Sequence, residues 1–148
     1  MKNLISIFIL AALLFNVTYS QSTSAQAESL VKKAVQFYKE KGKEAAFAEF
    51  SNPAGKFTAK DLYIFVVDLA GNTLAHGGNA KLVGKNMMEV KDPDGKFFIK
   101  ECIEIAKAKG KGWSDYKWSN PATKKIEAKT TYVEKADDFV FGCGVYKK

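Results

Sequence analysis

The sequence contains no arginine. All 23 of its basic residues are lysine, set against 16 acidic residues, for a formal net charge of +7. Guanidinium forks dominate bidentate contacts to phosphate and guanine. Their absence, with lysines dispersed among acids rather than gathered into a stripe, argues against a nucleic-acid partner. Histidine is nearly as scarce. His76 is the single one, which excludes a multi-histidine metal centre. With no nucleophile elbow and no paired carboxylates in a recognisable setting, it does not make a catalytic triad either. No metal or cofactor is expected. The two cysteines, Cys102 and Cys143, are too few for a disulfide framework. Cys102 falls in an apolar helical pattern and Cys143 in an apolar strand, which favours free, buried thiols over a bridge.

Long apolar runs are also missing, except at the start. Lys2 precedes an apolar stretch over residues 4–17, interrupted by Ser6 and Asn16. A run of about 14 is short for a membrane span and right for the core of a signal peptide. Ala25-Gln26-Ala27 fits a cleavage pattern, while Thr18-Tyr19-Ser20 lies closer to the apolar core, so the cut is expected between 20 and 27. The alternative is an uncleaved anchor. Residues 1–27 are thus expected to be a signal peptide and residues 28–148 one domain, periplasmic or secreted.

Within that domain, residues 29–50 carry apolar side chains near helical spacing, with Gly42 as a bend or break. Residues 62–67 form an unbroken apolar run, the mark of a strand covered on both faces. A Gly71-Asn72 turn returns the chain through residues 73–76, and a loop with a short helical turn near Met87-Met88 follows. Asp92-Pro93-Asp94-Gly95 resembles half a calcium loop but lacks the later ligands, so it reads as a turn and helix cap. A second helix runs from Phe97 to the lysines before Gly110. Residues 113–118, 125–135 and 139–146 are three further strands. Helices set apart from an antiparallel sheet give an α+β domain.

The richest stretch is Trp113-Ser114-Asp115-Tyr116-Lys117-Trp118, closed by Asn120-Pro121. Alternate residues of a strand share a face, so Tyr116 and Trp118 lie opposite Trp113. Tyr hydroxyls and Trp indoles donate well to a carboxylate from an apolar wall, and Tyr116 with Trp118 is the preferred pocket face. Rings at this spacing equally fill a core. Lys129, inside the next strand, is either the counter-ion for an acid or a solvent-facing lysine. Tyr132 has the opposite parity, so both face a pocket only if a bulge intervenes. His76 ends a strand at a pocket rim, and Tyr63 sits on the central strand. Gly142 and Gly144 leave one face of the last strand bare, which permits close approach of a helix or ligand.

The ordered set of residues 62–68, Gly71, Leu74-Ala75-His76, residues 82–86, residues 91–96, Gly112-Trp113 through Trp118, Asn120-Pro121 and Gly142-Cys143-Gly144-Val145-Tyr146 resembles the single Cache domains of the second type, over nearly the whole mature chain. The resemblance implies a PAS-like five-stranded antiparallel sheet. A long N-terminal helix packs behind it, and a second helix lies between the second and third strands. It also implies an extracellular ligand sensor, often for small organic acids. Such domains usually sit between two membrane spans in receptors. Here no kinase, methyl-accepting or cyclase segment follows, so the domain is expected to act with a membrane receptor or transporter partner, or as a homodimer through its N-terminal helix. The expectation is a non-enzymatic module that holds a small carboxylate in a chamber under the sheet, with Tyr116, Trp118, Lys129, His76, Tyr63, Tyr132 and Trp113 as candidate contacts. A structural receptor subunit without its own ligand is the alternative, and a small hydrolase is a weaker one.

Overall fold

The structure is a computed structural model that describes residues 21–59 and 61–147. Residues 1–20, which hold the expected signal core, lie outside the described residues. Helix α1 spans Ser24–Lys41 and α2 Lys43–Phe50. Strands β1 (Thr58–Ala59), β2 (Leu62–Tyr63), β3 (Phe65–Asp68) and β4 (Thr73–His76) follow, then α3 (Phe98–Lys109), β5 (Lys111–Ser119), β6 (Ile126–Ala136) and β7 (Phe139–Tyr146). The main sheet is antiparallel and five-stranded, in the order β4-β3-β7-β6-β5, while β1 and β2 form a separate small hairpin.

The expected N-terminal helix is divided at Gly42 and starts earlier than its apolar pattern. Thr23 and Gln26 form a capping box, with the Thr23 amide on the Gln26 side chain at 2.7 Å and the Gln26 amide on the Thr23 hydroxyl at 3.3 Å. These bonds satisfy otherwise orphaned donors at the helix start. The helical turn expected near Met87 lies instead at Ala80–Leu82. Asp92 makes a turn, as expected, but does not cap α3, whose N-cap is Phe97. Its carboxylate accepts from the amides of Asp94 at 3.0 Å and Lys96 at 2.9 Å, and also from Lys117 of β5 at 3.0 Å. The turn is thereby riveted to the edge strand. Gly110 ends α3 in the left-handed conformation, φ 77°, where a side chain is disfavoured.

Strands β3, β6 and β7 each contribute to two cores because side chains alternate across the sheet. Ile64, Val66, Tyr132, Phe141, Cys143 and Val145 face α1 and α2. Phe65, Val67, Tyr116, Val133 and Val140 face α3 and the loop before it. Cys102 and Cys143 therefore sit on opposite sides of the sheet, both buried and both free thiols. The glycines of β7 belong to the α3 face, and side chains of the sheet itself take the space they leave. Phe65 fills it at Gly142, and Lys129 with Thr131 fills it at Gly144. A Cβ at Gly144 would lie 2.3 Å from the Thr131 hydroxyl, 2.4 Å from Lys129 Cε and 2.9 Å from the Thr130 carbonyl.

Gly144→Ala is therefore expected to destabilise the fold by about 1–3 kcal/mol, the usual cost of forcing extra volume into a packed site. Urea denaturation checks this, with Gly84→Ala, whose Cβ would meet nothing within 4 Å, as a control for backbone strain alone.

Candidate functional site

The α3 side of the sheet encloses the candidate site. Lys129 sits in the middle of β6, opposite Tyr116 of β5 and Tyr146 of β7. Its side chain points under the sheet and is 1% exposed. The Nζ donates to the Tyr63 hydroxyl at 2.7 Å and lies 4.3 Å from the Tyr63 ring centre and 5.0 Å from that of Tyr146. Two aromatic faces stabilise an ammonium electrostatically. Among the described residues no carboxylate pairs with it, although four other lysines are paired. Burial lowers its pKa from 10.5 to about 8, so at neutral pH it still carries its charge. That drop corresponds to roughly 3 kcal/mol of uncompensated desolvation.

His76 closes one end of the site. Its Nδ1 accepts from the amides of Gly78 at 3.2 Å and Asn79 at 2.9 Å. A neutral imidazole that accepts at Nδ1 carries its proton at Nε2, so Nε2–H is left as a donor. Burial, with the Lys129 charge second, lowers the His76 pKa from 6.5 to about 3. Tyr63 lies against the imidazole, ring centres 4.9 Å apart. On the β5 side, the Tyr116 hydroxyl accepts from Thr131 at 3.0 Å, which leaves its own hydrogen free to donate. Tyr116 and Trp118 both pack on Phe98 of α3, at 4.6 and 4.8 Å.

Tyr63, His76, Tyr116, Trp118 and Lys129 thus surround one cavity, with Phe65, Val67, Leu82, Met87, Phe98 and Ile99 as its apolar wall. The enclosed void is about 20 Å³, room for about one water, and so much tighter than the chamber expected. A surface recess of about 270 Å³, lined also by Asn79, Pro121 and Lys124, shares Tyr63, His76 and Trp118 with it. Trp113 and Tyr132 do not line the cavity. They pack against each other with ring planes tilted and centres 5.3 Å apart, with Tyr132 in the α1 core and its hydroxyl on Glu134 at 3.0 Å. The reason is parity. β6 is regular from Lys129 to Ala136, so Lys129 inward forces Tyr132 outward, and Trp113 is the register partner of Tyr132. Two contributors were missed. Thr73 lies inward from β4, and Tyr146 reaches Tyr63 with its hydroxyl at 3.3 Å. Tyr146 shares the parity of Gly142 and Gly144, and the bare face of β7 was the signal that pointed to it.

The profile of the family described as Single Cache domain 2 matches residues 9–148. The chain belongs to that family. Solved Cache structures share the fold: one described as "Structural basis for carboxylic acid recognition by a Cache chemosensory domain" has a TM-score of 0.73 at 27% identity, covering 84% of this chain and 93% of that one. A methyl-accepting chemotaxis protein of Vibrio parahaemolyticus has a TM-score of 0.72 at 25% identity, covering 82% and 86%. Among curated proteins, the sensor histidine kinase MctS of Rhizobium johnstonii is 42% identical over 89 residues, 59% of this chain and 19% of the kinase. The methyl-accepting chemotaxis protein McpP of Pseudomonas putida is 31% identical over 88 residues, 58% of this chain and 16% of that protein. The chain spans less than a fifth of the length of these curated relatives in each alignment. This Cache domain is of the sensory kind carried by chemoreceptors and histidine kinases. Among its described residues no helix is long and apolar enough to cross a membrane.

The buried imidazole sets an acid limit on stability. A base whose folded pKa is depressed has nothing to lose above its unfolded value. Below pH 6.5 the unfolded chain gains a proton that the folded one refuses, down to about pH 3. From pH 7 to pH 5 this is expected to remove on the order of 2 kcal/mol. His76→Asn should flatten that part of the stability curve, as read from urea midpoints across pH.

Proposed function

We propose that this domain is an exported, non-enzymatic sensor module that binds a short carboxylate through Lys129 and hands the signal to a membrane receptor or transporter partner. The observation that carries the reading is the Lys129 ammonium, buried beside a cavity with a tyrosine hydroxyl instead of a carboxylate as its partner. A ligand carboxylate supplies the missing charge. The Nε2–H of His76 and the hydroxyls of Tyr63 and Tyr116 are further donors on the same wall. The rest of the wall is hydrocarbon and aromatic, which suits a ligand with a short alkyl tail and disfavours one with a second charged group. Entry requires the void to widen. Met87, an unbranched and adaptable side chain, and Leu82 on the preceding loop are the wall residues that turn aside. The carboxylic-acid-binding Cache domain of similar fold supports the same ligand class.

The export step rests on residues 1–20. The capping box of α1 supports a leader that ends before Thr23, since a cut at Ala27 would remove the cap and expose a buried helix start. The tightness of the cavity supports a second reading, a receptor subunit that binds no ligand of its own. Dimerisation through α1 suits either reading.

Lys129→Met separates them. Replacing an unpaired buried charge by a thioether of similar length is expected to raise Tm by several degrees, because the desolvation cost disappears, and to abolish stabilisation by acetate or propionate. A wild-type protein whose Tm ignores a panel of short acids at 10 mM would favour the ligand-free subunit. Binding also follows the ammonium: affinity is expected to hold below pH 8 and then fall about tenfold per pH unit as Lys129 deprotonates. Calorimetric titration between pH 6.5 and 9.5 measures it.

A further inference from the structure

The hydroxyl chain that leaves Lys129 has one direction. An ammonium only donates and a carbonyl only accepts. Lys129 Nζ donates to the Tyr63 hydroxyl at 2.7 Å, and the Tyr146 hydroxyl donates to the Ser119 carbonyl at 2.7 Å. The proton of Tyr146 is thereby spent on Ser119. The contact between Tyr63 and Tyr146, 3.3 Å, can then run only from Tyr63 to Tyr146. The Tyr63 hydrogen is thereby turned away from the cavity.

That middle bond is the weak link. At 3.3 Å it is longer than the usual range for hydroxyl pairs, whereas hydroxyl-to-carboxylate bonds are shorter and roughly twice as strong. An anion beside Lys129 offers Tyr63 the better acceptor. When Tyr63 turns to it, Tyr146 loses its donor. Tyr146 stands where three segments meet. Its hydroxyl holds the last residue of β5, its carbonyl accepts from the Gln21 side chain, and Ser22 donates to Asp61 beside β2 at 2.5 Å.

We propose that Tyr146 is a positioning residue that opposes ligand binding by holding the Tyr63 hydroxyl, and that its release carries occupancy of the cavity to the junction of β5, β7 and the segment before α1. The proposal rests on the carboxylate-binding reading above and adds to it the route by which the site is read out.

Tyr146→Phe tests it. The ring that flanks Lys129 is kept, while the hydroxyl that accepts from Tyr63 and donates to the Ser119 carbonyl is removed. Propionate affinity, measured by calorimetry, is expected to rise about threefold to tenfold. In the wild type, propionate is expected to shift the ¹⁵N resonances of Asn120, which follows the Ser119 carbonyl, and of the Gln21 side chain. In Tyr146→Phe those two shifts vanish, while shifts at Thr73 and Asn79, beside the cavity, remain. Unchanged or weaker affinity in the variant, or a wild type in which Asn120 and Gln21 stay still while Thr73 moves, overturns the relay alone. A wild type that binds neither acetate nor propionate overturns the carboxylate reading and the relay together. The wild-type spectra keep the test decisive even if the variant folds poorly.

Discussion

An ammonium held inside a protein without a carboxylate partner is costly, and the surrounding structure has to be arranged to tolerate it. Lys129 is tolerated because two tyrosine rings offer it their faces and one hydroxyl accepts from it. Those tyrosines can approach because Gly144 leaves room for the lysine stem. The neutral state of His76 has the same origin, since a second positive charge in the same dry space is suppressed by burial and by the first. The architecture of the α3 side of the sheet is therefore an accommodation of one cation.

The two faces of the sheet divide the labour. The α1 and α2 face is a packed aromatic core, with Tyr38, Phe47, Phe50, Phe139 and Phe141 within 5.3–6.4 Å of one another in successive pairs. That side gives stability. The α3 face carries the polar groups and the void, and its covering elements are a short helix and a loop tied down by Asp92. Recognition is thus confined to one side of the strands, while packing on both sides contributes to stability.

Much of this was legible in the residues. The order of elements followed from apolar spacing, and the family from motifs strung along the chain. Tyr63, His76, Tyr116, Trp118 and Lys129 were singled out by residue type and position, and the fold brings them together. Trp113 and Tyr132 went to the wrong side because alternation shows which residues share a face, not which face meets α3. The early start of α1 was hidden because Thr23–Gln26 lie in a segment that also reads as a cleavage region. The narrowness of the void was not legible at all, since it depends on how the rings of Phe98 on α3 and Trp118 on β5 interlock in space, which residue spacing does not encode.

The placement of the cysteines has a practical consequence. Cys102 and Cys143 are separated by the thickness of the sheet, and burial raises both thiols to about 12, so neither offers the thiolate that oxidants attack. The molecule carries no covalent staple to lose. Its cohesion does not rest on a disulfide between the two cysteines, and a reductant has no bridge there to cut.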